Sequence, residues 1–322
     1  MMDVLILGFS SLVQRRVLPS LSSLEAVGKI HLASRRQLPP TAMTGSRAGR
    51  VIAGYERALV ELPPGLVYVS LPNVLHFDWC MRALDAGFHV VVDKPAFLSA
   101  REASQVTDLA RRKGLCCAEA TAWQYHPMID LLREHQHREG RSPIAAAAWF
   151  ASPPLAEGNF RLDPSMGGGV IYDRASYAIS AGWVVFGQEP STVGCTVSER
   201  DPRTSVDLSC RIALEYPGGG SLDGFYSLKA DYRNSLTVVG ESYNIDFDRV
   251  FTPPDDYEGP AVVRRRGNCE TVATPRGSAF ALFIERVIGA IERGTSGDFA
   301  DRLARDAVIM DAIRKSATGA KA

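Results

Sequence analysis

Polar residues stand where the apolar runs of the first 120 residues end, and the first of these places suits a phosphate group. The run VLILG ends in GFSSLV, in which Gly8 keeps a tight turn. Ser10 and Val13 occupy the other two places of a GxGxxG or GxGxxA dinucleotide turn. We expect Ser10 and Ser11 to offer backbone N–H groups and hydroxyls to a pyrophosphate at a helix N-terminus. Val13 predicts a slightly displaced helix and looser binding.

The second run ends in Ser34, Arg35 and Arg36, without an acidic residue. An NAD site usually has Asp or Glu there for the ribose 2′-hydroxyl, whereas arginine and a small hydroxyl donor suit a 2′-phosphate. The residues therefore favour NADP(H) over NAD(H), although arginines at a sheet end can also serve solubility alone.

Lys94 lies between Asp93 and Pro95 at the end of the apolar run HVVV, and SLPNVLH ends the run before it. A positioned lysine can give a proton to an oxygen that gains negative charge. A lone lysine at a strand end is more often a surface residue whose stem is buried. The context of Lys94 therefore decides between these two interpretations.

The elements that must position these residues change character near residue 120. Before it, the strand-like runs VLILG (4–8), KIHLASRR (29–36), LVYVSLP (66–72) and HVVVDKP (89–95) alternate with helical stretches, which predicts a doubly wound parallel sheet. After it, longer runs follow in tandem from AAAAWFAS to YNIDFDR, and amphipathic helices end the sequence. We expect an α/β protein with a dinucleotide-binding domain over 1–120 and a substrate-binding domain with a large, mostly antiparallel open sheet over 121–322. The terminal helix of the second domain can pack back on the first.

Composition narrows the classes of partner. Lys+Arg and Asp+Glu both total 36 in 322 residues, so the chain has no charge excess for nucleic acid or an anionic membrane, and a small-molecule partner is favoured. No leader or run of roughly 20 apolar residues is present, which predicts a cytoplasmic protein. The six cysteines include no CxxC pair, and we expect no metal site.

Ordered motifs over nearly the whole chain resemble the glucose-fructose oxidoreductase/inositol dehydrogenase/rhizopine catabolism (Gfo/Idh/MocA) family. WCMRALDAGF and HVVVDKP resemble the family's ALxAGKHV and EKP, EATAWQYHP resembles EAFMYRFHP, and GGGVIYDRASYAIS resembles GGGxLxDxGxH or its Tyr form. The resemblance implies a Rossmann domain, a second α/β domain whose open sheet lines the active site, and hydride transfer on a sugar or polyol. It also implies a homodimer or homotetramer formed through the C-terminal sheet. The departures are Ser10 and Val13, Asp93 for Glu, Gln124 for Arg and Ala175 for Gly.

The resemblance also implies site residues. Lys94, Asp173 and Tyr177 match the catalytic positions, where the lysine hydrogen-bonds the reacting oxygen and the nicotinamide ribose. The open alternatives are a helix cap for Asp173 and a core aromatic for Tyr177. The implied cofactor-binding residues are Gly8, Phe9, Ser10, Ser11, Leu12, Ser34, Arg35, Arg36, Leu71, Asn73, His76, Lys94, Arg161 and Asp173.

A narrower resemblance concerns the substrate. NFRLDPSMGGG and DYRNSLTVVGESYNIDFDRVFTPP look like segments of nucleotide-sugar 3-ketoreductases, which act on dTDP-linked keto-deoxyhexoses. The implied substrate-binding residues are Arg15, Arg16, Gln124, Tyr177, Tyr232 and Thr252. The leading hypothesis is NADPH-dependent reduction of a keto group, at C3 of a nucleotide-linked deoxysugar. The alternatives are a dehydrogenase of a free sugar or cyclic polyol, and a non-catalytic sensor or assembly protein.

Overall fold

The computed structural model describes residues 1–39 and 42–319. The chain divides into two compact units. The first consists of residues 1–120 together with 280–307, and the second of residues 121–279 together with the chain from Val308 onward. The second predicted domain therefore differs from the second unit, because residues 280–307 belong to the first.

The first unit contains a six-stranded parallel sheet whose strands follow in the order β3-β2-β1-β4-β5-β6. This is the predicted doubly wound Rossmann sheet, and that prediction is confirmed. Val4, Ile6, Val67 and Val91 are fully buried, as expected for a sheet covered on both faces. The strands are β1 (Met2–Leu7), β2 (Val27–Ser34), β3 (Ala48–Ala53), β4 (Leu66–Val69), β5 (His89–Val92) and β6 (Cys117–Glu119).

The helix after β1 continues from residue 11 to residue 23 and contains a π-helical turn at Val13–Val17. Leu18 donates its backbone N–H to the Val13 carbonyl, five residues back. Pro19 has no N–H, but it lies in the first turn of the segment that follows and does not interrupt the helix. The helices of this part of the chain are α1 (Leu18–Ser23), α2 (Tyr55–Glu61), α3 (His76–Asp85) and α4 (Ala100–Lys113).

The second unit contains an eight-stranded sheet in the order β14-β13-β12-β11-β7-β10-β9-β8. Neighbouring strands are antiparallel except for β7 and β10, which confirms the predicted mostly antiparallel sheet. The elements are α5 (Met128–Glu139), β7 (Ala145–Ala151), α6 (Val170–Phe186), β8 (Thr192–Arg200), β9 (Asp207–Glu215), β10 (Ser221–Ser227), β11 (Arg233–Val239), β12 (Tyr243–Asp248), β13 (Pro260–Arg265) and β14 (Asn268–Ala273).

Side chains alternate across this sheet. On β7, Ala146, Ala148 and Phe150 are buried in a core shared with α5 and α6, whereas Trp149 is 47% exposed. One face of the sheet therefore carries the core of the unit, and the other face carries an exposed tryptophan.

Two helices end the chain, α7 (Ala279–Glu292) and α8 (Gly297–Ala317). Leu303 in the early part of α8 belongs to the core of the first unit, and Ile309, Met310 and Ile313 in its later part belong to the core of the second. Among the described residues, no helix has both the length and the apolar character that a membrane span requires.

Candidate active site

The turn after β1 requires glycine at its first position. Gly8 has φ +99°, and a Cβ there would lie 2.2 Å from the Ser70 carbonyl oxygen. The next residues form the first turn of the helix, where the earliest backbone N–H groups have no intrahelical acceptor. Phe9 and Leu12 are half-buried, and Ser11 is exposed. A close backbone turn followed by a helix start fits a pyrophosphate.

Ser10 is tied into the protein by its hydroxyl. Its Oγ accepts the Val13 N–H over 3.1 Å and lies 2.8 Å from Ser70 Oγ. Ser70 Oγ donates to Asp93 Oδ2 over 2.5 Å, and Tyr68 Oη donates to Asp93 Oδ1 over 2.7 Å. Burial, and next the Asp93 carboxylate, raise the pKa of Tyr68 well above its ordinary value, so the phenol keeps its proton.

The predicted 2′-phosphate residues lie at the end of β2. The hydroxyl of Ser34 accepts the Arg36 N–H over 3.0 Å, which closes a small turn. The Arg35 guanidinium lies 5.6 Å from the ring centroid of Tyr55, a cation–π arrangement that orients it. Both arginines are exposed, so their charges face solvent and are available to an anion.

His76 connects the ends of two strands. Its Nε2 lies 2.8 Å from the Leu71 carbonyl oxygen, and its Nδ1 lies 3.0 Å from that of Pro95. The imidazole is fully buried, so its contacts hold the turns that carry Leu71 and Lys94. Asn73 is buried beside this helix start, and Lys94 is half-buried.

Glu119, at the end of β6, contacts the same turn as Lys94. Its Oε2 accepts the Ala96 N–H over 2.8 Å. Burial, and next the Asp306 carboxylate, raise the pKa of Glu119 to about 7, against the smaller lowering effects of the Ala96 N–H, Lys94 and Arg302.

The two arginines predicted to bind substrate lie on the helix after the Gly8 turn. Arg15 is exposed and donates from Nε to the Ser11 carbonyl over 3.2 Å, and Arg16 is half-buried. Both belong to the π-helical turn, next to the predicted phosphate position.

In the second unit, a run of glycines places Arg161 close to α6. The Gly169 N–H donates to the Arg161 carbonyl over 2.9 Å. A Cβ at Gly168 would lie 2.7 Å from that same carbonyl oxygen, so the approach needs glycine. The Asp207 carboxylate accepts the Ile171 N–H over 2.7 Å at the start of α6. Asp207, at the start of β9, therefore caps this helix.

The Asp173 carboxylate lies between two guanidinium groups. Arg161 Nε donates to Oδ1 over 2.9 Å, and Arg174 Nε lies 2.8 Å from Oδ2. Arg174 also donates to Ser152 Oγ over 3.2 Å, and its guanidinium carbon lies 3.7 Å from the Phe150 ring centroid. The Asp173 and Arg174 side chains are only 9% and 10% exposed, so the ion pair is largely removed from water. Asp173 is thereby fixed as a hydrogen-bond acceptor.

Tyr177 lies one helical turn after Asp173, on the same face of α6. Its ring centroid is 4.9 Å from that of Phe150 and 5.1 Å from that of Phe251, and the residue is 8% exposed. The ring is thus held in an aromatic cluster, and packing on two sides fixes the direction of its hydroxyl.

Tyr232 and Thr252, predicted from separate motifs, are joined by Asn234. Asn234 Nδ2 donates to Thr252 Oγ1 over 2.8 Å and to Tyr232 Oη over 3.3 Å, while its Oδ1 accepts the Phe251 N–H. Asn234 is fully buried, whereas Tyr232 is 45% exposed. Phe251 in turn contacts Tyr177, so the structure brings these predicted residues into one contiguous region of the second unit.

Gln124 lies at the edge of this region. Its Nε2 donates to Thr121 Oγ1 over 2.8 Å, and the neighbouring Trp123 ring makes an edge contact with Phe251 at 4.9 Å. Among the described residues, no group of three or more His, Cys, Asp or Glu side chains could hold a metal ion.

Comparison with known proteins explains this arrangement. Residues 4–121 match the oxidoreductase family with an NAD-binding Rossmann fold, and residues 142–245 match the GFO/IDH/MocA C-terminal domain. An uncharacterised oxidoreductase of Rhizobium meliloti is 30% identical over 302 residues, which cover 90% of this chain and 89% of the relative. The chain belongs to the Gfo/Idh/MocA oxidoreductase family.

Two further similarities within the Gfo/Idh/MocA family span both chains. A dTDP-3,4-didehydro-2,6-dideoxy-α-D-glucose 3-reductase of Actinomadura kijaniata is 29% identical over 317 residues, covering 97% of this chain and 94% of the relative. The crystal structure of KijD10, a 3-ketoreductase from Actinomadura kijaniata in complex with NADP and TDP-benzene, superposes with a TM-score of 0.91 at 28% identity over 98% of each chain.

Within this Gfo/Idh/MocA oxidoreductase, the sequence motifs did not reveal the partners that hold the predicted residues. Asn234 lies in the quoted stretch DYRNSLTVVGESYNIDFDRVFTPP, and Arg174 lies in GGGVIYDRASYAIS. Each therefore belonged to a motif that the sequence had already indicated. Ser70 and Glu119 also stand in quoted stretches, SLPNVLH and EATAWQYHP. Ser70 contacts the Asp93 side chain and Glu119 accepts the Ala96 backbone N–H. Both partners follow β5, a different strand from those that Ser70 and Glu119 follow or end, and a motif does not specify such a contact.

Proposed function

We propose that this oxidoreductase uses NADPH to reduce a keto group of a nucleotide-linked, dTDP-type keto-deoxyhexose at C3, as a step of deoxysugar biosynthesis. The observation that carries the proposal is the full-length similarity to a 3-ketoreductase solved with NADP and TDP-benzene, at a TM-score of 0.91. Similarity over 98% of both chains includes both units and not the Rossmann domain alone.

The first unit supports the choice of cofactor. Gly8 and the helix start after it would hold the pyrophosphate, and Ser34, Arg35 and Arg36 would hold a 2′-phosphate. Two exposed arginines and a hydroxyl, without an acidic residue, disfavour the free 2′-hydroxyl of NADH. When bound, the reduced nicotinamide supplies a hydride to the carbonyl carbon.

The remaining residues serve the carbonyl oxygen and the rest of the substrate. Tyr177 or Lys94 supplies the proton to the oxygen as negative charge develops there. Asp173 accepts a hydrogen bond from Arg161 and forms an ion pair with Arg174, so its carboxylate is held in place. We assign the remaining predicted substrate contacts to Arg15, Arg16, Gln124, Tyr232 and Thr252.

The test is steady-state reduction of a dTDP-linked 3-keto sugar by the wild-type chain and by Lys94→Ala and Tyr177→Phe variants. We expect each variant to lose about 100-fold or more in turnover, the size typical of removing a positioned acid. Lys29→Ala, at an exposed lysine of β2, is the matched control and should keep wild-type turnover. Unchanged turnover in both site variants would overturn the assignment.

The nucleotide part of the substrate can be tested separately. A ligand at a hundred times its dissociation constant adds roughly 2.7 kcal/mol to the stability of a protein that binds it. We therefore expect dTDP to raise the melting temperature of the chain. A chain that reduces sugars but shows no shift with dTDP or UDP favours the dehydrogenase of a free sugar or cyclic polyol, and a chain that binds no NADPH favours the non-catalytic alternative.

The exposed face of the second sheet supports a homodimer or homotetramer formed with further copies of this chain. Trp149 on β7, which is 47% exposed, and Phe225 on the neighbouring β10 form an edge contact at 5.8 Å between ring centroids. Exposed aromatic groups in the middle of a sheet are typical of an interaction surface. Light scattering should give a dimer or tetramer for the wild-type chain and a smaller species for Trp149→Glu.

A further inference from the structure

Two departures from the family pattern, Ser10 and Asp93, lie close together in space. Ser10 follows β1, Ser70 follows β4 and Asp93 follows β5, and these three strands are neighbours in the sheet order β1-β4-β5. The carboxyl ends of parallel strands meet at one edge, so the three side chains form a continuous row. The Oγ atoms of Ser10 and Ser70 are 2.8 Å apart, and Ser70 Oγ is 2.5 Å from Asp93 Oδ2.

The direction of each hydrogen bond in the row follows from the number of hydrogens. A carboxylate only accepts, so Ser70 commits its single hydroxyl hydrogen to Asp93. Ser70 can then only accept from Ser10, which commits the Ser10 hydrogen in turn. Ser10 Oγ also accepts the Val13 N–H. The Ser10 hydroxyl therefore has no hydrogen left for a phosphate oxygen, so Ser10 can donate to a phosphate only through its backbone N–H group.

We infer that Asp93 is a positioning residue for the cofactor turn, acting through Ser70 and Ser10 on the backbone that receives the pyrophosphate. Ser10 and Asp93 are thus a coupled pair, in which Asp93 sets the direction of the hydroxyl that stands in place of the second glycine. Because Lys94 follows Asp93 directly, the same row joins the lysine turn to the cofactor turn. This inference rests on the proposed binding of NADPH.

Asp93→Asn would break this row of hydrogen bonds without changing the size of the side chain. An amide presents one acceptor atom and one donor group, whereas both Tyr68 and Ser70 approach Asp93 as donors. One of the two hydroxyls must then turn away. If the Ser70 hydroxyl rotates away, Ser10 loses its hydrogen-bond acceptor, and the backbone turn after β1 loses its fixed geometry. Ser10→Gly removes the hydroxyl that connects the row to the cofactor turn. Asp93→Asn should therefore have little effect on that turn in a Ser10→Gly variant.

The experiment is isothermal titration of the full chain with NADPH for the wild type, Asp93→Asn, Ser10→Gly and the double variant. We expect Asp93→Asn to raise the NADPH dissociation constant about fivefold, the size of one hydrogen bond, and less than about twofold in the Ser10→Gly background. Ser70→Ala removes the middle of the row and should change NADPH affinity as Asp93→Asn does. If Asp93→Asn does not fold, Ser70→Ala takes its place in this set of four proteins.

A second titration with adenosine 2′-monophosphate separates positioning from general damage, since this probe has the 2′-phosphate but no pyrophosphate. Its affinity should stay unchanged in all variants. Ser104→Ala is the matched control, because Ser104 Oγ donates to Asp108 on the exposed face of α4, and it should bind both probes as the wild type does. The inference is overturned if Asp93→Asn raises the NADPH dissociation constant by the same factor with and without Ser10→Gly. It is also overturned if NADPH and adenosine 2′-monophosphate lose affinity in parallel. Neither result affects the proposed function. Absence of NADPH binding to the wild type overturns the proposed function as well.

Discussion

Asp93 precedes a proposed catalytic residue and Asp173 is one itself, and the groups that hold their two carboxylates differ in kind. Asp93, in the first unit, accepts from the hydroxyls of Tyr68 and Ser70. Asp173, in the second unit, is held by the guanidinium groups of Arg161 and Arg174. Neutral hydroxyl donors fix the orientation of a carboxylate. Guanidinium groups also depend on its negative charge to balance their own.

The difference predicts how each site responds to loss of that charge. A hydroxyl can rotate to a new acceptor, and its reorientation changes geometry more than stability. A guanidinium removed from water and left beside a neutral amide remains an unpaired buried charge, which is strongly unfavourable. The same Asp→Asn change therefore distinguishes the two carboxylates. It should mainly change the hydrogen-bond geometry at Asp93, whereas at Asp173 it should mainly lower the stability of the fold.

The largest effect is expected for Asp173→Asn. Arg174, with a side chain only 10% exposed, loses the partner of its charge, so the free energy of unfolding should fall by about 3–5 kcal/mol in urea denaturation. Asp301→Asn is the control, because its pair with Arg111 is about half exposed on both sides and should change stability by less than about 1 kcal/mol. Similar losses in the two variants would show that the Asp173 pair is as well solvated as a surface pair.

The sequence predicts most of the fold because burial follows from its apolar runs. The buried lengths of β1, β4 and β5 are runs of Val, Leu, Ile and Tyr, and β2 is mostly apolar apart from the buried His31 and Ser34. Such runs are visible in a single sequence. The runs did not predict β3, β13 and β14. β3 and β14 lie at sheet edges, where β3 buries only Ile52 and β14 has no buried residue. β13 lies next to the β14 edge and buries only Ala261 and Val263. An edge strand carries little of the core, so little of its sequence reports the fold.

The site is predictable to the extent that its residues stand in motifs. Lys94, Asp173 and Tyr177 can be proposed from the sequence, and their roles stay predictions. Arg174 could not be assigned as a partner of Asp173, because adjacent helix residues do not normally face each other. Its direction depends on Phe150 and Ser152, at the end of β7 and just after it.

A smaller effect, with a pH dependence, is expected for Glu119→Gln. Burial and then Asp306 raise the pKa of Glu119 from 4.5 to about 7, so the folded chain keeps a proton that the unfolded chain releases. The stabilisation from this proton is fully present below pH 4.5 and is lost as the pH rises through 7. Between these values the wild type should lose at most about 3 kcal/mol that Glu119→Gln does not lose.

Urea denaturation at pH 4.5, 5.5, 6.5 and 7.5 measures that difference. Because Glu119 is only partly buried, the loss should lie below the upper value. Glu102, which accepts the Leu98 N–H over 2.9 Å, offers a matched control with a backbone donor, and Glu102→Gln measures the effect of a Glu→Gln change by itself. Parallel curves for wild type and Glu119→Gln would mean that Glu119 titrates as an ordinary carboxyl group.

The smallest effect is expected for Asp93→Asn on stability. Its donors are neutral and one can rotate away, so the free energy of unfolding should fall by about 1–2 kcal/mol, well below the loss for Asp173→Asn. Tyr68→Phe removes the donor that competes with Ser70, so the double variant should lose less than the sum of the single losses. A double loss equal to that sum would show that the Asn amide satisfies Ser70 whether or not Tyr68 is present. A loss for Asp93→Asn as large as that for Asp173→Asn would mean that Asp93 also balances a buried positive charge, and the contrast between the two carboxylates would then fail.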